Sequence, residues 1–100
     1  QGFGDDLVRD RAPLERFLAS GMEFMVASSF SKNFGLYQER TGALTAVAAD
    51  AGRAETVFSQ MKAVIRVNYS NPPAHGGRIV ETVLADEALR RRWEGELGAM

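Results

Sequence analysis

Four side chains in one short stretch of the sequence have the chemistry to bind a phosphorylated carbonyl compound. Lys32 supplies an amine, and Ser29 and Ser31 supply hydroxyl groups beside it. Arg40, eight residues beyond the lysine, supplies a planar guanidinium suited to a phosphate. Because a deprotonated amine attacks an aldehyde, this combination suits a phosphorylated carbonyl cofactor.

The apolar run before Lys32 places this amine at the edge of a sheet. Residues 24–28, Phe-Met-Val-Ala-Ser, predict a strand that is buried on both faces. Lys32 would then follow the carboxyl end of that strand, where open α/β folds bind ligands. However, most lysines are solvated surface charges. Spacing alone slightly favours the alternative, a surface loop rich in Ser, Lys and Arg.

The first half of the chain predicts one helical region and two strands. Apolar residues occur at helical spacing in residues 7–18. The firmer helix is expected to start at Pro13 and to end at Gly21, because proline is common in the first turn of a helix and glycine is common just after its end. Residues 43–48 predict the second strand. The intervening residues 29–42 lack helical periodicity, so the strands, if they are neighbours in the sheet, are expected to pair in antiparallel fashion.

The second half predicts further helices. Asp50 is suited to cap a helix that continues to about Asn68, with apolar residues at i, i+3, i+4 and i+7. The sequence Asn71-Pro72-Pro73 ends that helix. Another helix is expected from about His75, and Asp86 is suited to cap a last one. Two strands and at least four helical stretches indicate the α/β class.

Composition excludes several classes of function. The 100 residues carry a net charge of −1, which gives no basic surface for nucleic acid or membranes. There is no cysteine and one histidine, so no metal site is predicted. The chain begins at Gln1 and ends at Met100 in a helical pattern, and we expect it to be an excerpt from a longer protein.

The segment from Ser28 to Arg40 closely resembles the cofactor-lysine segment of the aspartate and aromatic aminotransferases, a subgroup of fold-type I enzymes that use pyridoxal 5'-phosphate (PLP). Gln1–Gly4 resembles the stretch just after the family's Asp-x-Ala-Tyr strand end. Three further stretches resemble later parts of the family, namely Phe58–Ala63, Asn68–Gly76 and Trp93-Glu94. The resemblance implies that residues 1–100 are part of the PLP-binding large domain, truncated at both ends. That domain has a mixed, mostly parallel sheet with helices on both faces.

The resemblance also implies a role for each residue near the lysine. Lys32 would form the internal aldimine with PLP and then carry the proton between the substrate and the cofactor. Ser29 and Arg40 match the serine and the arginine that bind the cofactor phosphate in the family. Ser31 is similar to a further residue on the phosphate side.

Two residues farther along match positions that bind substrate. In the family, the arginine corresponding to Arg66 reaches across the interface of a homodimer and pairs with the distal carboxylate of dicarboxylic substrates. Ser70 is similar to an interface residue near the active site of the other subunit. Periodicity alone also allows a surface arginine at the end of a helix, where a cation is favourable.

The implied reaction is PLP-dependent transamination between aspartate or glutamate and a 2-oxo acid such as 2-oxoglutarate, in a cytoplasmic homodimer. An aromatic amino acid aminotransferase is the first alternative, since its motifs overlap with these. An alternative of another class is a non-catalytic structural or interaction fragment. The isolated segment is expected to be inactive, because the family's residues that bind the cofactor ring lie outside it.

Three other features are interpreted as structural. His75 lies at a helix start between prolines and glycines, and a structural or capping role is favoured over a catalytic one. Trp93 falls on a helical face and is expected to pack. The run Arg90–Arg92 is typical of a solvated helix face, because no aromatic residues are interleaved with it.

Overall fold

The computed structural model describes residues 6–99, which form four helices and two strands. In chain order these elements are α1 (Leu7–Ala19), β1 (Phe24–Ser29), β2 (Gly42–Val47), α2 (Ala51–Asn68), α3 (Ala74–Ala85) and α4 (Glu87–Gly98). Both predicted strands and the predicted helical stretches are therefore present. The stretch Gln1–Gly4, which contributed to the resemblance, lies outside the described residues.

The two strands pair in antiparallel fashion, as predicted. Phe24 pairs with Val47 at one end of the ladder, and Ser29 pairs with Gly42 at the other. The glycine is required at this position, because a Cβ atom there would lie 2.6 Å from the carbonyl oxygen of Ser28. The sheet of the described residues consists of this pair, so the mostly parallel sheet of the prediction is not represented in it.

Among residues 6–99, β1 is not buried on both faces as the sequence predicted. Side chains along β1 alternate between half-buried and exposed, so only one face of the strand is covered by the described residues. A continuous apolar run shows that a strand is suited to burial. It does not show which neighbour covers each face, and in residues 6–99 one face of β1 has no such cover.

The first helix begins earlier than predicted. It runs through Leu7–Ala19 and contains Pro13 in its interior, rather than starting there. Asp6 provides the start signal, since its carboxylate accepts a hydrogen bond of 2.7 Å from the backbone N–H of Arg9. Proline removes one backbone donor from the helix interior, but the turns on both sides of it are retained. Gly21, at φ +71°, follows the end of the helix.

The predicted caps of α2 and α4 are confirmed. Asp50 accepts a hydrogen bond of 2.9 Å from the backbone N–H of Arg53, and Asp86 accepts one of 2.9 Å from that of Leu89. Each carboxylate satisfies a donor that the first turn of a helix leaves without a partner. The end of α2 at Asn68 is also as predicted.

Much of the apolar surface of the described residues is exposed. Val80 in α3 and Leu97 in α4 are the buried apolar side chains of this range, and α3 packs against α4. Helix α2 packs against β2 but has no buried residue, and Val67 is 89% exposed. Among the helices of residues 6–99, none combines the length and the apolar character that crossing a bilayer requires.

Glu23, directly before β1, connects the sheet to the start of α2. Its carboxylate accepts a hydrogen bond of 3.0 Å from the backbone N–H of Ala49 and one of 3.2 Å from the guanidinium of Arg53. The bond from Ala49 is the main reason that the pKa of Glu23 is lowered below its usual value of 4.5, and Arg53 adds to the effect. The charged form of Glu23 is thus favoured in the folded protein.

We expect this link to make stability depend on pH. A lowered pKa in the folded state contributes stability above the ordinary pKa of about 4.5, and this contribution is lost as the pH falls through the lowered value. The free energy of unfolding can be measured with urea at neutral pH and across this acidic range, on the native protein that carries this chain. As the pH falls, Glu23→Gln should lose less stability than the unmodified protein. The substitution should also weaken the neutral-pH state slightly.

Glu81→Gln, at an exposed position on α3, is the control and should retain the pH dependence of the unmodified protein. Equal pH dependence in Glu23→Gln and the unmodified protein would contradict the proposed link.

Candidate functional site

Residues 30–41, which we call the lysine loop, connect the two strands through consecutive turns. The backbone N–H of Phe30 donates to the carbonyl of Thr41 at 3.0 Å, so the ladder continues one step beyond the strands. A turn around Lys32 is closed by a bond of 3.0 Å from the N–H of Gly35 to the lysine carbonyl, with Gly35 at φ +64°. The two ends of the loop therefore lie side by side at the end of the sheet.

The two predicted serines differ in exposure. Ser29 is the last residue of β1 and is exposed, whereas Ser31 is buried at 7% exposure. The backbone N–H of Ser31 donates to Oγ of Ser29 at 3.2 Å. This bond fixes the Ser29 hydroxyl at the base of the lysine loop. Of the two hydroxyl groups, that of Ser29 is the accessible one.

The lysine amine and the arginine guanidinium meet at Tyr37. Nζ of Lys32 lies 4.5 Å from the centroid of the Tyr37 ring, within the range of a cation–π contact. Nη1 of Arg40 donates to the carbonyl oxygen of the same tyrosine at 3.1 Å. Neither cation forms an ion pair with a carboxylate among residues 6–99. Both charged groups are therefore available to an anionic ligand.

Arg40 has an unusual backbone conformation that its neighbours hold in place. Its φ of +51° lies in the left-handed region, which is uncommon for a residue other than glycine. Oε2 of Glu39 lies 2.9 Å from Nδ1 of His75 in α3. A Cβ atom on the buried Gly76 would overlap Oγ1 of Thr41 and lie 3.0 Å from Cβ of Glu39. The start of α3 thus packs against both neighbours of Arg40.

Helix α4 holds the other side of the loop through Trp93. The indole N–H of Trp93 donates to the carbonyl oxygen of Asn33 at 2.6 Å. The Trp93 ring also stacks on Phe34 with a centroid separation of 4.7 Å and an interplanar angle of 19°. Asn33 is the residue directly after Lys32, so these contacts fix the backbone from which the lysine side chain extends.

An open cleft of about 1230 Å³ lies between α1, the end of β1, the lysine loop and α4. Ser29 and Lys32 line it, whereas Arg40 does not. Ligand pockets usually have volumes of about 300–1,000 Å³, so this cleft is larger than most. A smaller groove of about 610 Å³ at the opposite end of the strands is lined by Glu23 and Arg53 and includes none of the predicted site residues.

The two predicted substrate-binding residues lie elsewhere. Arg66 is exposed in the last turn of α2. Ser70 follows that helix with a φ of +69°, and its backbone N–H donates to the carbonyl of Ile65 at 3.0 Å. In the described part of the chain, no hydrogen bond or ion pair connects either residue to the lysine loop. The hydrogen bonds of the described residues therefore do not join Arg66 and Ser70 to the site around Lys32.

Comparison with known proteins identifies the family. Residues 2–100 match the family described as aminotransferase class I and II. The chain belongs to this aminotransferase family. The match includes the lysine loop and both helices that hold it.

Individual aminotransferases are similar to the chain over its full length. The aspartate aminotransferase of Escherichia coli (strain K12) is 57% identical over 100 residues, which are 100% of this chain and 25% of that protein. The tyrosine aminotransferase of Klebsiella pneumoniae is 45% identical over 100 residues, again 25% of its length. The chain thus spans about a quarter of the length of these relatives.

A solved aminotransferase has nearly the same fold as the chain. The structure of the aromatic-amino-acid aminotransferase from Burkholderia pseudomallei, covalently bound to pyridoxal phosphate, superposes with a TM-score of 0.96 at 50% sequence identity. The superposition covers 99% of this chain and 25% of that one.

Sequence reasoning missed three contacts of the lysine loop. It did not single out Tyr37, the residue that both cations contact. It assigned His75 a structural role without identifying Glu39 as its partner. It interpreted Trp93 as a packing residue, although an indole N–H usually finds a hydrogen-bond acceptor when it is partly buried. That polar group was the available signal for a contact beyond packing.

The packing of α3 against the lysine loop can be tested with two adjacent glycines. Gly76→Ala should destabilise the native protein by about 1–3 kcal/mol, because the added methyl group overlaps Thr41. Gly77→Ala should stabilise it by about 0.5–1 kcal/mol, since its Cβ meets nothing within 4 Å and alanine favours a helix. Urea unfolding measures both changes. If both variants were stabilised equally, the packing of α3 against Thr41 would be wrong.

Proposed function

We propose that this chain is part of the large, PLP-binding domain of an aminotransferase that moves an amino group between aspartate or glutamate and a 2-oxo acid such as 2-oxoglutarate. The observation that carries the proposal is the arrangement of Lys32 and Arg40 around Tyr37, with both cations left without a carboxylate partner in residues 6–99. The identity of 57% to an aspartate aminotransferase supports the reaction. In the complete domain, the mixed, mostly parallel sheet would extend the β1–β2 pair.

The donor groups of the lysine loop fit PLP. Lys32 presents an amine to the cleft, and Arg40 retains guanidinium donors beyond the one that binds the Tyr37 carbonyl. Ser29 adds an exposed hydroxyl, which accepts a hydrogen bond from the backbone N–H of the buried Ser31. When bound, PLP supplies an aldehyde for the lysine and a ring that accepts electrons from the substrate. The relative that is covalently bound to pyridoxal phosphate supports this assignment.

In the proposed mechanism, Lys32 both anchors the cofactor and moves a proton. With PLP bound, the free amine Nζ of Lys32 would accept the proton from the α-carbon of the amino acid and would pass it on to the cofactor. A base on a fixed loop needs no separate encounter with the substrate, which accounts for much of its advantage. The contact with the Tyr37 ring keeps Nζ near the loop, and Arg40 and Ser29 would hold the phosphate of PLP.

We propose that Arg66 and Ser70 act in the active site of a second copy of the chain, in a cytoplasmic homodimer. The exposure of Arg66 at the end of α2, without a contact to its own lysine loop, supports this arrangement. A guanidinium pairs bidentately with a carboxylate, so Arg66 would select aspartate and glutamate by their distal carboxylate.

A second candidate function is aromatic amino acid transamination. The 45% identity to a tyrosine aminotransferase and the 50% identity to an aromatic-amino-acid aminotransferase favour it. Arg66 is compatible with both candidates if it turns away from an aromatic side chain. The relative rates on aspartate and phenylalanine distinguish the two.

Replacing Lys32 tests the proposed cofactor attachment. With PLP added, the full-length protein should absorb in the yellow range, and borohydride should fix the cofactor to Lys32. Lys32→Ala should lose this covalent product, and its turnover should fall by about 10²–10⁴-fold or more. Lys62, the second lysine of the chain, provides the control, and Lys62→Ala should keep both properties. A full-length protein without PLP absorbance would instead support the non-catalytic alternative.

Replacing Arg66 tests substrate selection. Arg66→Ala should lower kcat/KM for aspartate by about 10–100-fold, because a hydrogen bond between charged groups is lost. Activity on phenylalanine should change little, since that substrate has no distal carboxylate. Lys62→Ala, an exposed cation one turn earlier on α2, should leave both rates unchanged. Equal losses for the two substrates would contradict the proposed role.

A further inference from the structure

The backbone of Arg40 needs support from its surroundings. A left-handed conformation at a residue other than glycine persists where neighbouring contacts determine it. For Arg40, at φ +51°, those contacts lie on either side. The carbonyl of Thr41 accepts the bond from Phe30 at 3.0 Å, and Oγ1 of Thr41 donates to the carbonyl of Glu39 at 3.3 Å. The arginine is thus held between two anchored residues.

Helix α3 anchors the same turn from outside the lysine loop. Nδ1 of His75 lies 2.9 Å from Oε2 of Glu39, and 36 residues separate the two along the chain. The next residue, Gly76, is buried against the side chains of Thr41 and Glu39. The first turn of α3 therefore contacts both residues that flank Arg40. None of the described hydrogen bonds of this first turn involves Arg40, whose guanidinium donates to the carbonyl of Tyr37.

We infer that His75 and Glu39 are positioning residues, which hold the turn so that the guanidinium of Arg40 is oriented toward a bound phosphate. This inference rests on the proposed function, in which Arg40 binds the phosphate of PLP. The hydrogen bond between the two side chains fixes Glu39, and the backbone of Glu39 in turn sets the start of the arginine's strained turn. Neither residue contacts the cofactor in this arrangement.

The expected effect is moderate. The His75 side chain is 73% exposed and that of Glu39 is 34% exposed, so water competes with their contact. Loss of the pair should weaken PLP binding by about twofold to fivefold. Loss of the arginine should weaken it by about tenfold or more, because a charged donor to the phosphate is removed.

The decisive experiment compares two probes that differ only in the phosphate. The full-length apoprotein is titrated with PLP and, separately, with pyridoxal, and binding is followed by absorbance. His75→Ala and Glu39→Ala should weaken PLP binding while leaving pyridoxal binding unchanged. Adding His75→Ala to Arg40→Ala should have no further effect, since the group that it positions is gone. Arg78→Ala, on the same helix, is the control and should match the unmodified protein.

Glu39→Gln keeps the length of the side chain and an acceptor for His75, so it should retain most of the PLP affinity. It also preserves the test if an alanine variant fails to fold. Equal loss of affinity for PLP and pyridoxal would mean a general structural role and would overturn the inference. The inference would also be overturned if Arg40→Ala weakened PLP binding but both His75→Ala and Glu39→Ala left it unchanged. That result would not affect the proposed function. If the unmodified protein did not bind PLP, the proposed function and the inference would both fail.

Discussion

The hydrogen bond from Phe30 to Thr41 closes the lysine loop, and the arrangement of the candidate site depends on it. Arg40 lies eight positions after Lys32, and an extended chain would place them about 26 Å apart. The antiparallel ladder ends with the pair Ser29–Gly42, and the Phe30 bond adds one further step. The chain must therefore reverse within the loop. This reversal allows one residue, Tyr37, to contact both the amine and the guanidinium.

Two helices keep the closed loop in position, and each attaches beside one of the two cations. Trp93 of α4 holds the carbonyl next to Lys32, while His75 of α3 holds the side chain next to Arg40. Helices α3 and α4 pack against each other and carry the buried apolar side chains of the described range. Because both attachments belong to one packed pair, the helices fix the two cations relative to each other as well as relative to the sheet.

The features that the sequence predicted correctly depend on short-range signals. Asp50 and Asp86 satisfy donors three residues away, and the absence of helical periodicity between the strands predicted their antiparallel pairing. The start of α1 was wrong because the cap at Asp6 outweighs the usual preference for proline in a first turn. Burial of β1 on both faces is not seen among residues 6–99, because burial depends on distant neighbours.

The contacts that hold the candidate site could not be predicted in the same way. The bond from Trp93 joins residues that are 60 positions apart, and the one from His75 joins residues 36 positions apart. Such pairs follow from how helices pack on the loop, and no local pattern encodes that. Lys32 and Arg40 were predicted as site residues because an amine and a guanidinium suit a phosphorylated carbonyl compound and because the segment around them resembles a known family. The roles of Ser29 and Ser31 were likewise predicted, but only the structure distinguishes their exposure.

The orientation of α2 bears on whether Arg66 serves its own lysine loop. The half-buried side chains of this helix lie on one face, which packs against β2. They are Ala54, Val57, Met61 and Ile65. With about 3.6 residues per turn, Arg66 lies more than about 90° around the helix from the centre of that face. Val67 beside it is 89% exposed. An arginine that points away from β2 does not face its own sheet, and this direction is compatible with the proposed homodimer, in which Arg66 would bind substrate in the site of a second copy.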